Sequence, residues 1–194
     1  IGSHNLVLGS ANSYSGFGGI IAGYDNVQTG DYASILGGTV NAVSGTHAVI
    51  IAGQANAASA NNAVVVSGYT NEASGVSSAI ISGVANDATA PFSAVVAGSA
   101  NEAGGMHSAI LAGESSTASG QSSAIISGLS NEASGRNSAI VSGKENHALE
   151  NTAAVVAGWG NRASGEYAAI LSGFDGYAEG KYSAITSGFK NEAT

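Results

Sequence analysis

Side chains able to act as acids, bases or metal ligands are few in this chain, and their spacing decides what they can do together. The four histidines are His4, His47, His107 and His147, and there is no cysteine. A zinc-type site gathers its ligands within about 2.0–2.3 Å of one ion. His47 and His107 occupy the same place in a repeated pattern but lie four repeats apart, about 19 Å at ordinary strand spacing, so they read as solvated turn histidines. Glu72, Asp87, Glu102, Glu132 and Glu192 also recur at one place in that pattern. Paired carboxylates can hydrolyse glycosides or hold calcium where a cleft or an Asp-rich loop surrounds them. No such loop accompanies this row, which reads as a solvated acidic edge. The glycines of "GFGG" (Gly16 to Gly19) lack the lysine and helix of a phosphate loop. Tyr24, Tyr69, Trp159 and Phe174 share one turn position, suited to contact with a glycan, a protein or a neighbouring subunit. No catalytic residue, cofactor site or metal site is expected, and no enzyme.

The elements that position these residues follow from a repeat. "NEASGVSSAIISG" (Asn71 to Gly83) returns as "NDATAPFSAVVAG" (Asn86 to Gly98), "NEAGGMHSAILAG" (Asn101 to Gly113) and "NEASGRNSAIVSG" (Asn131 to Gly143). A closing glycine ends each copy, from Gly9 and Gly23 to Gly188, first after 14 residues and then at eleven steps of 15. Three residues beyond it stands Asn in 11 of 13 copies, with Ser116 and Gly176 as exceptions. A second glycine follows in 9 of 12 copies, replaced by Ala60, Ala90 and Glu150. Glycines at fixed offsets mark positive φ or close backbone approach. Two turns in 15 residues leave two segments of about five residues, which suits short strands and not helices.

The fold class expected is therefore all-β: a parallel β-solenoid of about 13 coils, two short strands per coil, each strand pairing with its equivalent in the next coil. At about 4.8 Å per coil this is a rod on the order of 60 Å long. Residues 1–194 form one repeat domain, expected to be a segment of a longer fibrous protein. Asn71, Asn86, Asn101, Asn131, Asn146 and Asn161 either form an amide ladder along the stack or serve left-handed turn geometry.

Before each closing glycine stand two adjacent aliphatics, which must point to opposite faces of a strand. An outward aliphatic row exposes more contiguous apolar surface than soluble monomers usually carry, so it should face another copy of the chain. Ala79 and its equivalents share a face with the second aliphatic, whereas Ser78 and Ser82 flank the first. A dry interior prefers the wholly apolar face. This places Ile81, Val96, Leu111, Ile126, Val141, Val156 and Leu171 inside the roll, with Thr186 an awkward member of that row. It places Ile80, Val95, Ile110, Ile125, Ile140, Val155 and Ile170 at the subunit interface.

Composition bounds the partners. A net charge of -8 with only five Lys and Arg disfavours nucleic acid and anionic membranes. No run of about 18 apolar residues is present to span a bilayer as a helix.

The half-repeat "G-x-x-N-x-A-S-G", at Gly68 to Gly75 and Gly128 to Gly135, resembles the head domain of trimeric autotransporter adhesins of the YadA type. That family's repeat runs roughly N-S-V-A-I-G-x-x-S-x-A-x-G, and "HNLVLGSANSYSG" (His4 to Gly16) is similar to it. The resemblance covers the whole chain. It implies a left-handed parallel β-roll, a homotrimer of chains side by side, and adhesion at the bacterial cell surface, outside an outer membrane that holds an anchor beyond these residues. A role in virulence and a receptor of matrix-protein or glycan type would follow. A phage or injection-system tail fibre shares the architecture and is the alternative. An ice-binding solenoid ranks lower, because the threonines (Thr29, Thr39, Thr46, Thr70, Thr89, Thr117, Thr152) form no row.

Overall fold

The computed structural model describes residues 3–194, and every strand in it is part of a parallel β-solenoid of about 13 turns. Two compact units are built from the same coil, Ile1–Gly98 and Ser99–Thr194. In the first, strands such as Val49–Ile50, Val64–Val65, Ala79–Ile80 and Ala94–Val95 stack in parallel into an aliphatic sheet. Between them run Ala42–Val43, Ala57–Ala58, Glu72–Ala73 and Asp87–Ala88, which stack into a second, alanine-rich sheet. The second unit repeats this, with Ala109–Ile110 through Ala184–Ile185 in the aliphatic sheet and Glu102–Ala103 through Glu192–Ala193 in the other.

The strands are two residues long in nearly every coil, shorter than the five-residue segments expected. The inter-coil ladder nevertheless continues through the bends. Ile81, Ser82 and Val84 each donate their N–H, at 3.0 Å, to Val95, Val96 and Gly98 of the next coil. Short strands suffice because backbone polar groups are satisfied coil to coil, whatever the local φ/ψ.

Each coil turns at three positive-φ positions. At the closing glycine Gly83 (φ 114), a Cβ would strike the carbonyl oxygen of Gly98 and the amide of Asn86. The other two positions hold ordinary residues, Ser77 (φ 56) and Ala85 (φ 53). Left-handed backbone is unfavourable for L-residues. Here it reverses the N–H, so that Ser77 donates back to Asn61 and Ala85 back to Tyr69, both at 2.9 Å, and neither donor is left without a partner. The second glycine, Gly75, is different: its φ is negative and its constraint is the next coil's backbone at Ala90.

The two aliphatic rows lie opposite to the expectation. Ile80, Val95, Ile110, Ile125, Ile140, Val155 and Ile170 are fully buried inside the roll of a single chain, so they are not available as a subunit interface. Ile81, Val96, Leu111, Ile126, Val141, Val156 and Leu171 point outward and are 42–50% exposed, so they do not fill the interior. Thr186, awkward as an inward residue, is exposed with them.

The reason is that the interior is not wholly apolar. One coil's inward set is Asn71, Ala73, Gly75, Ser78 and Ile80, all buried. The inward serines sit beside the turn that starts at the second glycine, where backbone groups need partners. Ser93 Oγ donates to the Ala90 carbonyl at 2.7 Å, and Ser108 Oγ accepts the Gly105 N–H at 3.2 Å. Ser82 lies at the following bend, where its Oγ donates to the Val96 carbonyl at 3.3 Å. Flanking serines therefore do not mark an outward face.

Substitution at adjacent positions separates the rows. Ile110→Asp places a carboxylate in the roll without a partner, which costs several kcal/mol or forces protonation. Far-ultraviolet circular dichroism should show loss of β-structure for Ile110→Asp and a native spectrum for Leu111→Asp.

Candidate functional site

The asparagines at the start of each coil are bound on all sides. Asn71 is buried and its Oδ1 accepts the N–H of Asn86 at 3.0 Å. Its Nδ2 donates to Gly83 O at 2.9 Å, to Asn56 Oδ1 at 3.1 Å and to Ser67 O at 3.3 Å. Asn86, Asn101, Asn131, Asn146 and Asn161 are equally buried, and each donates to the carbonyl of the closing glycine twelve residues on, at 2.9–3.0 Å. None of the six has positive φ; that geometry belongs to the residue before, such as Ala85 or Ser130. Asn here is a ladder residue and not a turn former. Where Ser116 replaces it, the shorter Oγ still accepts the Asn131 N–H at 3.2 Å.

The outward faces differ in chemistry. On the aliphatic sheet the outward positions are those of Ala79, Ile81 and Ser82, and no coil places a charged residue there. Six coils at about 4.8 Å and three residues at about 3.3 Å give each unit an apolar patch on the order of 300 Å², in the range of the largest patches on protein monomers, which often serve a function. The outward positions of the alanine-rich sheet hold Glu72 and Asp87 in the first unit, and Glu102, Glu132, His147, Arg162 and Glu192 in the second. His147 Nδ1 lies 3.0 Å from Glu132 Oε2, a pair exposed at the surface. His47 stacks on Tyr32 with ring centroids 5.3 Å apart.

Among the described residues no group of three or more His, Asp or Glu side chains is gathered in a way that could hold a metal ion, and no pocket is present. The exposed surface of each unit carries ring edges and an apolar patch.

The turn aromatics are exposed, and the structure brings only some of them together. Tyr24 and Tyr69 are separated by Thr39 and Gln54 in the same bridging row. Trp159 and Phe174 are in contact, with centroids 4.9 Å apart and planes at 82°, and Phe174 stacks on Phe189 at 5.2 Å. Lys144 Nζ lies 5.0 Å from the Trp159 ring, and the indole N–H donates to Glu145 Oε2 at 2.9 Å. Glu145 was not apparent as a partner from sequence, although its one-coil offset from Gly160 places it beside Trp159. That indole N–H, with Lys144 adding to it, holds the Glu145 carboxyl below the usual carboxylate range.

Sequence comparison matches the chain to no known family model and to no curated protein.

Two outcomes test this geometry. Asn146→Ala removes the acceptor of the Asn161 N–H and the donor to Ser142 and Gly158, so urea unfolding should show a loss of roughly 2–4 kcal/mol, with Asn146→Ser losing less. The chain has one tryptophan, so its emission reports the Glu145 bond. A depressed carboxyl favours the folded state above its unfolded value and loses that contribution as pH falls through the lower folded value. Trp159 emission should therefore change at a pH below the ordinary glutamate range, and Glu145→Gln should abolish the transition.

Proposed function

We propose that the chain is a structural and adhesive segment of a bacterial cell-surface fibre, in which three copies associate side by side through their aliphatic faces. The observation that supports this reading is the outward row of Ile81, Val96, Leu111, Ile126, Val141, Val156 and Leu171, 42–50% exposed on a face without charge. Apolar area removed from water contributes roughly 25 cal/mol per Å², so a repeated row gives association a large additive drive. Small neighbours such as Ala79 and Ser82 allow close approach of backbones. Carboxylates on the alanine-rich sheet stay in solvent and keep the assembly soluble.

The resemblance to YadA-type heads supports the threefold arrangement and a left-handed roll. Attachment through the exposed turns, to a matrix protein or glycan, is the adhesive part of the proposal. Binding without turnover suits a surface that has aromatic and charged turns and, among the described residues, no pocket. In light scattering the native chain should have three times its 18.8 kDa mass, and Leu111→Asp combined with Ile126→Asp should reduce it to one chain of native circular dichroism. A native chain that stays monomeric at all concentrations contradicts the proposal. Retention of the trimer on immobilised matrix proteins or polysaccharides, with those ligands left intact, tests the adhesive part.

A further inference from the structure

Tyr167 and Tyr182 occupy the same left-handed turn position in successive coils, with φ 61 and 62. Their backbones are pinned: Tyr167 N–H donates to Asn151 O at 3.0 Å and Tyr182 N–H to Glu166 O at 2.9 Å. The two phenol rings are parallel within 10° with centroids 5.0 Å apart. They are 44% and 68% exposed and so open to a diffusing oxidant. Lys181, held to Glu166 at 2.9 Å, has its ammonium 5.8 Å from the Tyr167 ring and 5.3 Å from that of Tyr182. Of the seven tyrosines, no others share one position in neighbouring coils. Tyr177 instead donates its hydroxyl to Asp175 at 2.7 Å, and Tyr32 lies against Phe17 and His47.

We propose that Tyr167 and Tyr182 are an oxidative cross-linking site, at which a peroxidase-type one-electron oxidant joins two adjacent coils as dityrosine. Each phenol loses one electron and its hydroxyl proton, giving two phenoxyl radicals. The radicals couple between a Cε carbon of each ring. The hydrogen displaced at each coupled carbon then moves to oxygen and restores two phenols. The product has two hydrogens fewer than the reactants, and one hydrogen peroxide takes up the two electrons and two protons as two waters. Pre-alignment is what distinguishes this pair, since radical coupling is governed by how often the two carbons meet. The bond closes a loop from residue 167 to 182 and constrains the unfolded chain as a disulfide would, in a protein that has no cysteine.

The test treats the native assembly with a haem peroxidase and hydrogen peroxide. Dityrosine fluorescence should appear with a yield independent of protein concentration. After tryptic digestion, mass spectrometry should find the Tyr167 peptide joined to the Tyr182 peptide with two hydrogens lost. Tyr167→Phe and Tyr182→Phe, which keep the rings and the fold, should each abolish the signal, and Tyr177→Phe should leave it unchanged. The cross-linked chain should unfold at a higher temperature. Dityrosine that persists in Tyr182→Phe, that joins separate chains, or that leaves the unfolding temperature unmoved would overturn the proposal, as would its absence from the native protein.

Discussion

Register between coils depends on one short arrangement, the closing glycine followed three residues later by a buried asparagine. At Gly83 and Asn86 the backbone bends with φ 114 and brings the amide against it, leaving no room for a side chain. The amide of Asn71 then bonds Ser67 at the preceding bend, Asn56 one repeat before and the closing Gly83 twelve residues on. Strands of two residues have little capacity to select register by themselves, and a slip by one residue would turn every side chain to the other face. A side-chain amide that fits one offset and leaves buried donors unpaired at any other supplies that selection.

Constant register converts sequence into surface. With every residue type stacked on its equivalent, a two-residue choice per coil becomes a row. Ile80 and its equivalents close against the small Ala73 row to fill a thin interior, and Ile81 and its equivalents become an apolar stripe. Charges collect on the alanine-rich sheet and the turns, which leaves the aliphatic face uniform. The same stacking produces the ring contacts of Trp159 with Phe174 and of Tyr167 with Tyr182, since aromatics one coil apart must meet.

Periodicity made the coil, its length and the special status of Gly83 and Asn86 legible, because only a repeated backbone requirement keeps one residue type in place so often. The orientation of Ile80 and Ile81 was misread for a definable reason. Buried Asn71 is satisfied by neighbouring backbone and by the equivalent amide of the stack, and Ser78 is buried even without a partner for its Oγ, so polar companions do not identify an outer face. The left-handed residues Ser77 and Ala85 were invisible, since neither type signals positive φ; their equivalents even include Val40 (φ 58) and Thr70 (φ 53). The aromatic edge follows from its offset, but its pairing with Glu145 depends on how the side chains lie across neighbouring coils.

In the proposed assembly the outward aliphatic row faces its own equivalents in other copies, while the row beside it is sealed in each roll. Single cysteines in this cysteine-free chain test it most directly, with mild oxidation of Ile126→Cys compared with Glu132→Cys on the opposite sheet. The account predicts disulfide-linked dimers in denaturing gels for Ile126→Cys at low protein concentration, with a third chain left uncoupled, and reduced chains for Glu132→Cys. Equal coupling at both positions, or coupling at Glu132→Cys alone, would contradict it.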